Sequence, residues 1–191
     1  MMQHNMKIEV PYDKKEILLH TCCAPCSSAI VECLLANGVH PTLYYYNPNI
    51  FPDQEYEKRK AECIRHAQMS GLSFVDVDYD HAQWLEAMKG LEGEPERGAR
   101  CLQCFKLRLT AAASYASGNG FKVFATTLAS SRWKDLMQIE AAGESAAALF
   151  PNLVFWAHNW RRGGLQKRRD ELIHAYNFYN QSYCGCEFSM K

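Results

Sequence analysis

Long apolar runs are missing from this chain of 191 residues. Its purely apolar stretches are only a few residues long, which excludes a membrane-spanning helix. Neither sign of charge is in excess, since 21 Lys and Arg balance 21 Asp and Glu. A nucleic-acid partner would therefore have to be held by a local basic patch. Internal repeats and low-complexity tracts are also lacking. A composition of 48% hydrophobic and 22% charged residues builds a core and excludes disorder. Residues 1–15 are polar and mixed in charge, with no apolar signal region or cleavage site, so a cytoplasmic chain is expected. The length fits a single domain over residues 1–191, in which the first 15 or so residues are an extension and residues 180–191 a tail folding over the active rim.

What the chain has in plenty is cysteine, with nine. A chain expected to be cytoplasmic argues against a disulfide framework, and clustered cysteines point to metal or redox chemistry. Cys22, Cys23 and Cys26 stand in His20-Thr21-Cys22-Cys23-Ala24-Pro25-Cys26, Cys101 and Cys104 form a Cys-x-x-Cys, and Cys184 and Cys186 flank Gly185. Cys33 and Cys63 are isolated at apolar phases of helical stretches and read as core.

Strands and helices alternate along the chain. The pattern predicts strands over 16–21, 42–46, 73–77, 121–126 and 153–156. Helices are predicted over 27–37, 53–69, 81–88, 100–116, 135–149 and 165–179, with Asp53 as an N-cap and Gly38 and Ser70-Gly71 as stops. Such alternation predicts an α/β fold, a parallel sheet of about five strands covered by helices on both faces. Ligands of such sheets bind beyond the carboxyl ends of the strands. Cys22 and Cys23, Asn47 and Asn49, Thr126 and Thr127, and His158 and Asn159 follow four of these strands and should share one rim.

Spacing leaves several uses of the thiols open. Cys22, Cys23, Cys101 and Cys104 can hold an iron–sulfur cluster, provided the chain turns at Ala24-Pro25 so that adjacent sulfurs converge. Cys23, Cys26, Cys101 and Cys104 can hold structural zinc as two knuckles, although most of a sheet lies between them. Cys23-Ala24-Pro25-Cys26, opening a helix after a strand, also suits thioredoxin-like redox work. Cys184 and Cys186 suit a reducible pair or two ligands of a further metal. Basic residues gather at Arg161, Arg162, Lys167, Arg168 and Arg169 and at Arg97, Arg100, Lys106 and Arg108, a candidate phosphate-binding surface. Trp156, Trp160 and Tyr44 to Tyr46 are candidate stacking platforms, and His20 is either a packed histidine or a proton donor.

Four blocks in order carry a resemblance: His20 to Cys26; Asn47-Pro48-Asn49-Ile50 with Glu55-Tyr56 and Arg59; Arg100-Cys101-x-x-Cys104-Phe105-x-Leu107-Arg108-Leu109; and Tyr183-Cys184-Gly185-Cys186. This set resembles the cobalamin-independent epoxyqueuosine reductases, the QueH family. The resemblance implies a fold related to the adenine nucleotide alpha hydrolases. It implies a bacterial cytoplasmic oxidoreductase that reduces epoxyqueuosine to queuosine at the wobble position of tRNA, the last step of queuosine biosynthesis. An iron–sulfur cluster of the 4Fe-4S type is implied, and cobalamin is not. Cys22, Cys23, Cys101 and Cys104 would ligate the cluster. Cys184 and Cys186 would form a redox-active disulfide or hold a second iron, and Cys26 is an additional ligand or a spare thiol. Asn47, Asn49, Arg59, Arg108, Arg161 and Arg162 are the candidate substrate-binding residues. The expected partners are a tRNA with a queuosine-type anticodon and an unidentified electron donor. A heterodisulfide-reductase-like electron-transfer module and a zinc-stabilised tRNA-binding domain are the alternatives.

Overall fold

The apolar runs pair as one parallel sheet in a computed structural model that describes residues 6–190. The first five residues of the expected extension and the last residue of the tail lie outside the described residues. β1 (Glu16–His20), β2 (His40–Tyr45), β3 (Phe74–Asp76), β4 (Val123–Thr126) and β5 (Val154–Phe155) lie in the order β3-β2-β1-β4-β5. Every neighbouring pair is parallel. Ile17, Leu18 and Leu19 of β1 and Val123, Phe124 and Ala125 of β4 are fully buried. Central strands covered on both faces must be apolar throughout, which is why these segments do not alternate.

The helices are α1 (Ala24–Ala36), α2 (Asp53–Ser70), α3 (His81–Ala87), α4 (Ala99–Gly118), α5 (Leu136–Ala147) and α6 (Leu165–Tyr176). Right-handed crossovers put α1 and α2 on one face and α4 and α5 on the other, because strand order reverses between β3 and β4. Contacts follow that division: α1 touches α2 and α6, and α4 touches α3 and α5. The α/β expectation is met. Where the order reverses, the chains leaving β1 and β4 diverge and open a crevice at the carboxyl end of the sheet.

Boundaries differ at informative places. α1 begins at Ala24, three residues before the predicted start, because Cys23 is its N-cap and Pro25 occupies its first turn. Pro52, not Asp53, caps α2, and Asp53 and Glu55 sit in its first turn, where the helix dipole favours carboxylates. α6 stops at Tyr176, since Asn177 turns left-handed at φ 49°. Trp156, Trp160 and Tyr44 to Tyr46 are buried in the core and offer no stacking surface.

His20 ties three strands together. Its Nε2 lies 3.2 Å from the Tyr46 carbonyl and its Nδ1 2.8 Å from the Thr126 hydroxyl. A carbonyl only accepts, so Nε2 carries the proton. Burial first, and Arg108 second, push its pKa down to about 3. It is a packed neutral histidine rather than a proton donor.

His66 of α2 is similarly buried, with Nδ1 3.3 Å from Ser27 Oγ of α1 and its ring against the Phe178 edge. Burial, aided by Arg65, lowers its pKa from 6.5 to about 4. The unfolded chain binds that proton below about pH 6.5 and the folded chain does not, so this group withdraws stability as pH falls from 6.5 towards 4. His66→Gln should flatten that part of the stability-against-pH curve in denaturant titrations. An unchanged slope would assign the titration to other groups.

Candidate active site

The motif after β1 is built as a helix N-terminus. Cys23 is extended (φ −170°, ψ 157°) and its Sγ accepts the Cys26 backbone N–H at 3.4 Å, the position a serine or aspartate cap would take. The chain turns at Ala24-Pro25, so the sulfurs converge. Cys22 Sγ lies 3.9 Å from Cys23 Sγ, and the sulfurs of Cys22, Cys23 and Cys26 all lie within 4.8 Å of one another. Thr127, beyond β4, accepts the Cys22 N–H at 3.2 Å and donates its hydroxyl to Cys22 Sγ at 3.5 Å. Strand-order reversal thus sets the β4 loop beside the cysteine loop. This triad of soft donors at the positive end of a helix can hold a metal.

The three thiols do not share charge equally. Hydrogen bonds from Cys23 and Cys26 hold the Cys22 pKa well below the ordinary thiol range against burial, and Lys134 and Arg108 add to the effect. Burial, then the bond to Cys22, drives Cys23 well above that range. Cys26 is pushed up to about 11, first by its bond to Cys22. Negative charge on the group is therefore favoured at Cys22.

A cavity of about 510 Å³ opens over these sulfurs, with Cys22, Cys26, Asn47, Asn49 and Arg108 on its walls. Lys134 lines it as well. Burial opposes the charge of Lys134, but Cys184, Cys22 and Cys26 together outweigh burial and raise its pKa. Asn47 donates to the Thr21 carbonyl at 3.0 Å and accepts from Arg108 Nη2, which fixes the buried guanidinium. A smaller recess shares Trp133, Lys134 and Cys184 with this cavity and is also lined by Cys101 and Cys186.

Cys101, Cys104, Cys184 and Cys186 form a second group on α4 and the tail, apart from the core residues Cys33 and Cys63. Cys104 and Cys186 pack with Trp84 and Met88. The Cys186 pKa is raised to about 11 by burial, opposed by a 3.5 Å contact with Ser189. Cys184 and Cys186 are free thiols. Arg59 holds this segment: paired with Glu55 at 2.7 Å, it donates to the Cys184 and Tyr183 carbonyls at 3.1 and 3.3 Å. The Gly185 carbonyl accepts the Phe51 N–H at 2.8 Å. Gly185 is at φ +130°, where a Cβ would press on Arg59, Ile50 and Asn49. From the tail, Gln181 donates to Cys23 Sγ at 3.0 Å and so links the two groups.

Of the residues singled out from sequence, Cys22, Cys26, Asn47, Asn49, Arg59, Arg108, Arg169 and Cys184 line the cavity. His158 and Asn159 do not line it; His158 is enclosed by Trp156 and Trp160. Arg161 donates to the Ser131 and Lys134 carbonyls at 2.5 and 2.7 Å. Arg168 is paired with Glu32 and Glu171, and Arg169 with Asp170. Arg162 and Lys167 are exposed and have no ion pair among the described residues. Thr127, expected at the rim, does reach Cys22, whereas sequence reading missed Lys134 and Gln181. Thr127 and Lys134 follow the β4 end, the position that the strand-end rule marks. Gln181 carries no such signal.

A model of the epoxyqueuosine reductase QueH family matches residues 17–191. The chain belongs to this family. It is 48% identical to the epoxyqueuosine reductase QueH of Histophilus somni, covering 97% of this chain and 76% of the relative, and 46% identical to that of Haemophilus influenzae over the same shares. A more distant QueH, from Thermotoga maritima, is 32% identical across 91% of this chain and 90% of its own. The resemblance seen in the four blocks is confirmed over nearly the whole length, and the two thiol groups are those of a QueH-family chain.

Two outcomes follow from this geometry. In metal-free protein at neutral pH, iodoacetamide should modify Cys22 before Cys26 and Cys186, and Lys134→Met should slow that reaction; peptide mass spectrometry reads both. Alkylation led by Cys26 would overturn the charge assignment. Arg59→Lys keeps a charge for Glu55 but loses the fork that grips two carbonyls. Exchange of the Phe51 amide, bonded to Gly185, should then quicken roughly tenfold as the tail loosens. Unchanged exchange would mean Arg59 does not hold the tail.

Proposed function

We propose that this chain reduces epoxyqueuosine to queuosine at the wobble position of tRNA, the last step of queuosine biosynthesis, as one catalytic domain in the cytoplasm. Family membership over residues 17–191 carries the reading. Two groups of thiols beside one cavity, with Lys134 between them, support it. The donor set fits an anionic thiolate-bound cluster: three sulfurs converge at a helix N-terminus and face Lys134 and Arg108. Cys22 and Cys23 would hold the 4Fe-4S cluster with Cys101 and Cys104 from the neighbouring group, the convergence of Cys26 on Cys22 and Cys23 supports it as an additional ligand, and no cobalamin is needed. When bound, such a cluster supplies electron relay and Lewis acidity at iron.

Removing the epoxide oxygen as water consumes two electrons and two protons. Closure of Cys184 and Cys186 to a disulfide releases two of each, and an external electron donor restores the dithiol. Lys134 keeps its charge and offsets the negative charge that gathers on sulfur and on the departing oxygen. Asn49 and Arg108 border the space for the base, while Asn47 aims Arg108. Arg59 places Cys184, and Arg161 fixes the loop that carries Lys134. Arg162 is free to meet a phosphate.

Anaerobically purified protein should contain iron and acid-labile sulfide. Cys101→Ser and Cys104→Ser should each lose most of the visible cluster absorption. Cys184→Ser and Cys186→Ser should abolish turnover of epoxyqueuosine tRNA while keeping cluster iron and sulfide near wild type. Loss of about one iron without sulfide in both would instead mark a second iron site. Zinc without iron or sulfide would remove the reductase reading and leave a zinc-stabilised tRNA-binding domain.

A further inference from the structure

The loop between β4 and α5 is held by its backbone and presents its side chains. Arg97 donates to the carbonyls of Arg132 and Trp133, both at 3.0 Å, and Arg161 to those of Ser131 and Lys134. Four consecutive carbonyls are thus gripped by two guanidinium groups. The neighbouring side chains then divide. Lys134 lies among the thiols, whereas Trp133 stands 73% exposed at the cavity wall. The other three tryptophans, Trp84, Trp156 and Trp160, are buried. Exposed Arg132 adjoins Trp133, and Arg132, Arg162 and Lys167 carry no ion pair among the described residues.

A flexible loop with an exposed tryptophan would need no explanation. A loop fixed at four carbonyls does, because two arginines are committed to holding it. The flat face of an indole next to unpaired cations suits an unpaired nucleobase with its phosphate. A base lifted from an RNA loop leaves its neighbour without a stacking partner, and an aromatic face at the pocket mouth replaces that partner.

We infer that Trp133, held by Arg97 and Arg161 at the mouth of the thiol cavity, is the stacking platform for an unpaired RNA base adjacent to the one that enters the cavity. This rests on the tRNA reading above. Trp133 is a positioning residue, since it touches the substrate away from the reacting atoms. Stacking is tolerant of base identity, so Trp133 contributes affinity and orientation, while selection of the modified base belongs to the cavity.

The test uses metal-loaded enzyme and an unmodified stem-loop RNA of the anticodon type. Binding should quench the tryptophan fluorescence of wild type, and Trp133→Ala should abolish the quench. Trp133→Ala should weaken RNA binding about tenfold, within the range expected for loss of one base–aromatic stack, and Trp133→Phe should recover most of it. An abasic site next to the wobble position should weaken wild type equally and leave Trp133→Ala unaffected, because both changes remove one contact. With epoxyqueuosine tRNA, Trp133→Ala should raise KM much more than it lowers kcat. If Trp133→Ala binds RNA like wild type, the platform assignment is wrong. If it also loses turnover with a protein electron donor but not with a small chemical reductant, Trp133 serves the donor instead. If wild type itself binds no stem-loop RNA, the tRNA reading falls first and takes this inference with it.

Discussion

Thiols can be crowded beside a buried cavity only if the negative charge they develop is offset without bulk water. Here the offset comes from Lys134, Arg108 and the N-terminus of α1. Each of the three would be costly to bury alone. Together with the sulfurs they form a balanced set, which is why burial fails to suppress the charge on Lys134. The balance depends on the sheet. Only the reversal of strand order between β1 and β4 brings the cysteine loop, Thr127 and the Lys134 loop to one crevice.

A second regularity is the use of arginine against backbone. Arg59, Arg97, Arg100 and Arg161 each direct guanidinium donors at the carbonyls of irregular segments. Segments outside helices and strands leave carbonyls unpaired, and a planar fork with five donors can satisfy two or more in fixed geometry. The segments so held are the tail with Cys184, the loop with Trp133 and Lys134, and the Glu92 region before α4. The basic residues that looked like a phosphate surface are in good part internal scaffolding. That is consistent with a chain whose net charge is zero.

The sheet and the family were legible in the sequence because their signals are local: short apolar runs, glycine stops, and cysteine blocks in fixed order. The cysteine turn was half legible. Ala24-Pro25 marked a turn, but the capping role of Cys23, which starts α1 early, depends on a sulfur standing where an oxygen usually does. Arg59 was legible as important but not as a tail anchor, since its partners lie more than a hundred residues away. Nothing local marks Lys134; the fold sets it beside Cys22 after β1, Cys26 of α1 and Cys184 of the tail. Trp133 and Trp156 illustrate the same limit in reverse: aromatic identity is visible in sequence, while exposure is decided by packing.

The tail differs from the rest of the site in being assembled from unlike contacts at several points. Arg59 and the Phe51 amide grip it on one side. His81 reaches it on the other, with Nε2 3.0 Å from Glu187 and Nδ1 2.8 Å from the Pro48 carbonyl. Between these anchors Cys184 borders the cavity, while Cys186 is turned into the apolar cluster of Trp84 and Met88. The two thiols therefore occupy different environments although only Gly185 separates them. Both thiols also line one recess, and Gly185 is the residue best able to absorb the backbone change that joining them would bring. Hydrogen bonds from Arg59 and Phe51 hold the Cys184 side, while Phe188 packs against Trp84 and Arg100 on the Cys186 side. The tail is thus anchored on both sides of the pair, and Gly185 is the one point between the thiols with no side chain to pack.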